Sequence, residues 1–159
     1  MMSDVTLKAP DELDRFWMAE ALALARKAGR EGEVPIGAVI VKGGEIVGKG
    51  WNRNIGLNDP SAHAEIMAMR DAGKRLQNHR LPGCSLYVTL EPCPMCAGAM
   101  IHARLDRLVY AADDPKTGAA GGMFDLLSDP AHNHAVKVSR GCLAEESSVL
   151  LRDFFRKRR

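Results

Sequence analysis

A three-layer α/β/α domain built on a mixed β-sheet is the fold this sequence predicts, on three observations. Gly37 to Val41 and Glu45 to Trp51 are short, apolar runs joined by Gly43-Gly44, which reads as an antiparallel hairpin. Downstream, short apolar runs alternate with longer helical stretches, the pattern of parallel strands joined by crossover helices. The first helical stretch carries an apolar stripe that needs a sheet to cover it.

In chain order, Asp11 to about Ala28 repeats Leu13, Trp17, Ala21, Leu24 and Ala28 at spacings of three and four behind Pro10, an amphipathic helix. The hairpin follows and ends in Trp51-Asn52-Arg53-Asn54. Asn58-Asp59-Pro60-Ser61 reads as a turn, with Asp59 or Ser61 as the cap of a helix over about Ala62 to Arg75. Ser85 to Leu90 is a buried strand, and Cys93 to Arg104 a helix with prolines only at its start. Arg107 to Ala111 is a strand, followed by a loop over Asp113 to Gly122 of the kind that carries substrate contacts. Ala135 to Ser139 supplies a fifth strand, and Leu143 to Arg158 a terminal helix with Leu150, Leu151, Phe154 and Phe155 facing inward. A flexible tail is expected over 1–10 and a single domain over 11–159.

With 159 residues, the chain is long enough for one substantial core. Its 46% apolar and 26% charged residues match globular rather than disordered or fibrous chains. No apolar run reaches the roughly 18–20 residues of a membrane span, and Met1 to Pro10 lacks a signal-peptide pattern, so a cytoplasmic protein without membrane contact is expected. The net charge of +2 does not advertise a polyanion partner, but positive charge gathers at Arg152, Arg156, Lys157, Arg158 and Arg159. Such a run either steers a nucleic-acid backbone or merely solvates a terminal helix. Of the cysteines, Cys93 and Cys96 point to metal or redox chemistry, whereas Cys84 and Cys142 read as buried or inert thiols.

The chemistry resides at two expected helix starts, His63-Ala64-Glu65 and Pro92-Cys93-Pro94-Met95-Cys96. Cysteines at i and i+3 share a helix face, and the positive end of a helix favours the thiolate that binds metal. C-x-x-C alone is equally open to zinc, thiol redox chemistry and burial; joined to H-x-E on the preceding helix start it favours catalytic zinc, three protein ligands leaving the fourth position to water. His63, Cys93 and Cys96 are the candidate ligands of one Zn2+. Glu65 lies about 200° round an ideal helix from His63, so it is read as general acid and base rather than ligand. His79, His102, His132 and His134 have no ligand spacing and read as surface or core residues, although His132-Asn133-His134 sits in a loop where a substrate phosphate could be met. Met67, Met69, Met95 and Met100 read as core packing.

H-x-E followed by P-C-x-x-C resembles the zinc-dependent cytidine/deoxycytidylate deaminase-like family, of which it is the known signature. V-P-I-G-A-V-I-V from Val34, W-N-R-N from Trp51, D-P-S-A-H-A-E from Asp59, L-E-P-C-P-M-C-A-G-A-M-I-H-A-R from Leu90, K-T-G-A-A-G from Lys116 and D-F-F-R-K-R-R from Asp153 resemble its bacterial tRNA-specific adenosine deaminases. The resemblance implies a cytidine-deaminase-like fold with a five-stranded mixed sheet, a homodimer, and hydrolytic conversion of wobble adenosine to inosine in a tRNA anticodon stem-loop. A zinc-activated hydroxide would attack C6 of an extruded adenine while Glu65 shuttles protons. The resemblance further implies that Asn52 hydrogen-bonds the base, that Ile36 and Leu90 line its pocket, and that Asp114, Lys116, Arg156 and Arg158 meet the RNA. Guanine deaminases share N-D-P before H-A-E and P-C-P-M-C, so a free-nucleobase deaminase is the alternative. The loop from Lys116 and the basic terminal helix favour the RNA substrate.

Overall fold

The computed structural model describes residues 10–158. Apart from Pro10, the tail expected over 1–10 lies outside them, as does Arg159. Four helices, α1 (Pro10–Arg30), α2 (Ala64–Leu76), α3 (Pro94–His102) and α4 (Ala144–Lys157), accompany five strands among the described residues. The strands are β1 (Gly37–Lys42), β2 (Glu45–Trp51), β3 (Ser85–Leu90), β4 (Arg107–Ala112) and β5 (Lys137–Arg140). They form one sheet in the order β2-β1-β3-β4-β5, with β1 antiparallel to both neighbours and β3, β4 and β5 mutually parallel.

Strand alternation splits the core into two layers. Ala38, Ile40, Leu86, Val88, Leu108 and Tyr110 face α2 and α3, while Val39, Val41, Tyr87, Val109 and Ala111 face Trp17, Met18 and Ala21 of α1. The mixed three-layer sheet expected from the sequence is therefore present. Glycine governs how closely α2 approaches β2: a Cβ on Gly50 would lie 2.2 Å from the Ala64 carbonyl and 2.4 Å from the Ala68 nitrogen. Ala64, Ala68 and Ala72 complete that small-residue seam. On the other face, Tyr87 Oη–H and the Arg107 guanidinium both donate to the Asp14 carboxylate, tying α1 to β3 and β4.

Several expectations need correction. Helix α2 begins at Ala64, not Ala62, and neither Asp59 nor Ser61 caps it: Asp59 Oδ1 instead closes a turn on the Ser61 N–H and hydroxyl, at 2.8 and 2.7 Å. Strand β5 starts at Lys137 rather than Ala135 because its partners on β4 run only from Arg107↔Lys137 to Tyr110↔Arg140. In α4, Leu150, Leu151 and Phe154 are half-buried, but Phe155 is 49% exposed. The helix packs chiefly on β4 and less on β3 and α1, and Phe155 borders an open groove. Met95 also departs from the core expectation at 39% exposed, whereas Met100 is fully buried. No helix among the described residues is long and apolar enough to cross a membrane.

Gly50→Ala is expected to lower stability by roughly 1–3 kcal/mol, the usual cost of overpacking a core. A urea midpoint equal to that of the parent would refute the tight α2–β2 seam.

Candidate metal and catalytic site

Strand pairing brings the relevant segments to one edge of the sheet. Gly37 pairs with Trp51, Ala38 with Val88, and Leu90 with Ala112, so Ile36, Asn52, Leu90 and the loop after Ala112 leave their strands side by side. Helices α2 and α3 start there too. His63 is the N-cap of α2 and Cys93 the N-cap of α3, with nearly matching extended backbones at φ −73°, ψ 155° and φ −75°, ψ 172°. Cys96 is the third residue of α3. The reading that put His63 and Cys93 within first turns thus started both helices too early, by two residues at His63 and by one at Cys93, and this changes the geometry. Helical-wheel angles do not apply to an extended cap, so His63 and Glu65 are free to serve one pocket.

His63 Nδ1 lies 3.5 Å from Cys93 Sγ and 3.5 Å from Cys96 Sγ. A tetrahedral zinc with Zn–S of about 2.3 Å and Zn–N of about 2.0–2.1 Å holds nitrogen and sulfur about 3.6 Å apart, so the donors fit that ion. Among the described residues they are the one cluster of this kind, all ligand atoms lying within 4.8 Å of one another. Without a metal, the group shares protons. The neighbouring Cys96 thiol holds Cys93 down to about 4, against the opposing effect of burial, with His63 adding to it. Cys96 is pushed up, first by Cys93 and then by burial. His63 is raised by Cys93 against the opposing effect of burial. Burial pushes Glu65 up to about 7, opposed by its own backbone N–H and the positive charge of His63.

Over these groups lies a cavity of about 270 Å³ lined by Val34, Ile36, Asn52, Asn54, His63, Glu65, Leu90, Glu91, Cys93, Asp114 and Thr117. It therefore brings together Ile36, Asn52 and Leu90, and adds Asp114, which the resemblance had assigned with Lys116 to the flanking RNA. Asn52 is 6% exposed, and its Oδ1 accepts the Ala64 N–H at 2.8 Å, satisfying the first backbone donor of α2. That contact occupies the amide oxygen, and because Asn52 lines the cavity its Nδ2–H is the group that can donate there to a ring nitrogen or carbonyl. Asp114 is half-committed to its own loop: its carboxylate accepts the Lys116 and Thr117 N–H groups and the Thr117 hydroxyl.

Lys116, Arg156 and Arg158 line a separate groove of about 750 Å³, with Leu151, Arg152 and Phe155. One Nη of Arg158 donates to the Gly32 carbonyl at 2.8 Å, and its guanidinium lies 4.3 Å from the Phe154 ring centre, which anchors the end of α4. His132 and Asn133 lie elsewhere, in a depression with His79 and His102, and His134 Nε2 is 2.6 Å from the Leu105 carbonyl. Sequence reasoning missed Thr117 and two buried carboxylates. Glu33 accepts the Ile55 and Gly56 N–H groups, and Glu91 those of Asp114, Ala120 and Gly122. Glu91 was visible only as one letter of the L-E-P-C motif, and nothing local marks which amides it holds.

Three protein ligands leave a tetrahedral metal one position for water, and a buried carboxyl beside it suits hydrolysis; the class is that of zinc-dependent hydrolases. Residues 11–112 match the cytidine and deoxycytidylate deaminase zinc-binding region. The chain belongs to that family and is a zinc-dependent deaminase with a site for one Zn2+. It is 52% identical over 153 residues to the tRNA-specific adenosine deaminase of Haemophilus influenzae, covering 96% of this chain and 88% of that one. A structure from a study of A-to-I editing by tRNA:A34 deaminases at the wobble position superposes with a TM-score of 0.81 at 47% identity, covering 86% and 99% of the two chains. The guanine deaminase from Nitrosomonas europaea is more distant, at a TM-score of 0.74 and 25% identity over 96% and 91%.

Because Cys96 is held protonated without metal, zinc uptake near pH 7 should release protons and affinity should rise with pH. Calorimetric titration of the metal-free protein in two buffers of different ionisation enthalpy measures this, and identical heats would refute it. Cys96→Ser should lose most bound zinc in elemental analysis.

Proposed function

We propose that this chain hydrolyses the wobble adenosine of a tRNA anticodon loop to inosine, with residues 11–159 acting as one deaminase domain. The observation that carries the proposal is the loop 114–117, which contributes to two different surfaces. Asp114 and Thr117 wall the small pocket over the metal group, and Lys116 reaches the groove of Arg152, Arg156 and Arg158. A pocket of about 270 Å³ suits a single base, while a cation-lined groove suits the phosphates that flank it. A free nucleobase needs only the first. The naming of the Haemophilus influenzae relative as a tRNA-specific adenosine deaminase supports the same substrate. Function on tRNA also favours the cytoplasm, and the resemblance favours a homodimer.

His63, Cys93 and Cys96 would hold the zinc, which when bound supplies Lewis-acid activation of water at neutral pH. Asn52 Nδ2–H and the apolar side chains of Ile36 and Leu90 would orient the extruded base. Glu65 takes a proton from the attacking water and delivers it to the ring nitrogen beside C6. As the C6–N6 bond breaks, the same carboxyl takes the remaining proton from the hydroxyl added at C6 and passes it to the leaving amine, so adenosine and water become inosine and ammonia. A carboxyl that burial raises to about 7 can both accept and donate near neutral pH.

Incubating the zinc-loaded protein with an anticodon stem-loop carrying adenosine at the wobble position should yield inosine, and free guanine should be left intact. Turnover of guanine without inosine would instead support the free-base reading. Glu65→Gln should keep its zinc yet lose at least about 10²-fold in kcat, the lower range for general acid–base catalysis. Parental turnover would remove Glu65 from the mechanism.

A further inference from the structure

The loop after β4 is built around a buried carboxylate that approaches from the other side of the site. Glu91 is 3% exposed and stands between the end of β3 and the candidate ligand Cys93. Its Oε1 accepts the Asp114 N–H at 2.9 Å, and its Oε2 accepts the Ala120 N–H at 3.0 Å and the Gly122 N–H at 2.7 Å. The next residue adds a fourth tie, the Pro92 carbonyl accepting the Ala119 N–H at 2.8 Å. The loop closes so tightly that side chains are excluded. A Cβ on Gly118 would lie 2.3 Å from Glu91 Cδ, and one on Gly122 would lie 2.8 Å from both carboxylate oxygens.

We infer that Glu91 is the positioning residue that sets the substrate loop against the metal centre. Three amides spread over the segment from Asp114 to Gly122 could not otherwise converge without leaving buried donors unpaired. The loop they brace carries Asp114 and Thr117 into the pocket wall and Lys116 into the basic groove. Glu91 is two residues from Cys93, so the groove is referenced to the same strand end that presents the metal. A carboxylate suits this place because it accepts at both oxygens and donates at neither. A glutamine in either orientation would turn an NH₂ donor toward at least one loop amide.

This inference rests on the proposed RNA substrate only for its kinetic consequence. Glu91→Gln should keep stoichiometric zinc and change kcat little, while KM for the wobble-adenosine stem-loop rises roughly tenfold, as loss of hydrogen bonds to a charged group predicts. Hydrogen exchange at the amides of Asp114, Ala120 and Gly122 should accelerate by about tenfold or more, with α1 and β1 unchanged. Gly118→Ala, which crowds the same carboxylate from the loop side, should reproduce both effects and keeps the test open should Glu91→Gln fold poorly. Parental exchange and KM in both variants would overturn the inference. So would loss of zinc, or a fall in kcat at constant KM, either of which would place the effect of Glu91 at the metal or the chemistry. If the parent protein does not edit the stem-loop, the substrate proposal fails, while the exchange experiment still decides whether Glu91 holds the loop.

Discussion

Two helix N-termini meeting within one metal's reach is the constraint on which the rest of this structure depends. His63 and Cys93 cap α2 and α3 with matching extended backbones, and Cys96 follows one turn into α3. Aiming two positive helix ends at one point favours thiolates and disfavours a bare cation. Two sulfur ligands resolve the conflict, since a pair of thiolates offsets both the helix ends and the charge of the ion. Cys93 is drawn down chiefly by Cys96 and Cys96 is pushed up chiefly by Cys93, which reflects how closely the two sulfurs are set.

Convergence of the helix starts is achieved by the sheet and by small residues. The register among β2, β1, β3 and β4 brings four strand ends to one edge, and Gly50 with Ala64 and Ala68 lets α2 lie close against β2. Asn52 then joins structure to chemistry. Its carbonyl oxygen satisfies the first amide of α2, so a side chain that lines the cavity is held by the helix that presents His63. Loss of either partner would disturb the other, because a buried backbone donor without an acceptor is costly.

The pocket walls are loops, and buried carboxylates fix them as well as packing does. Glu33 gathers the amides of Ile55 and Gly56 on one side, and Glu91 gathers those of Asp114, Ala120 and Gly122 on the other. Such sites hold loop geometry without adding apolar bulk near the pocket. Beyond them the surface changes character, with Lys116, Arg152, Arg156 and Arg158 around the exposed ring of Phe155. Attraction in the groove is screened by salt, whereas contacts inside the buried pocket are screened much less. The division matches the proposed substrate, a nucleic acid gripped outside and processed inside.

The sequence by itself determined the donor set, the mixed sheet and the position of most elements, and marked Glu65 beside the donors, because these depend on residue type and on spacings within one helix or strand. His63, Glu65, Cys93 and Cys96 were legible for that reason, as was the hairpin turn at Gly43-Gly44. Tertiary structure alone decided which residue caps α2, since the acceptor for Ala64 is Asn52, twelve positions away, and not the nearby Asp59 or Ser61. It also decided that Phe155 faces the groove, and that Glu91 holds amides 23 to 31 residues downstream. Local patterning encodes which faces are apolar and where a chain can turn. It does not encode which distant amide a buried carboxylate will meet, because that is fixed only when strand register and helix packing bring the two together.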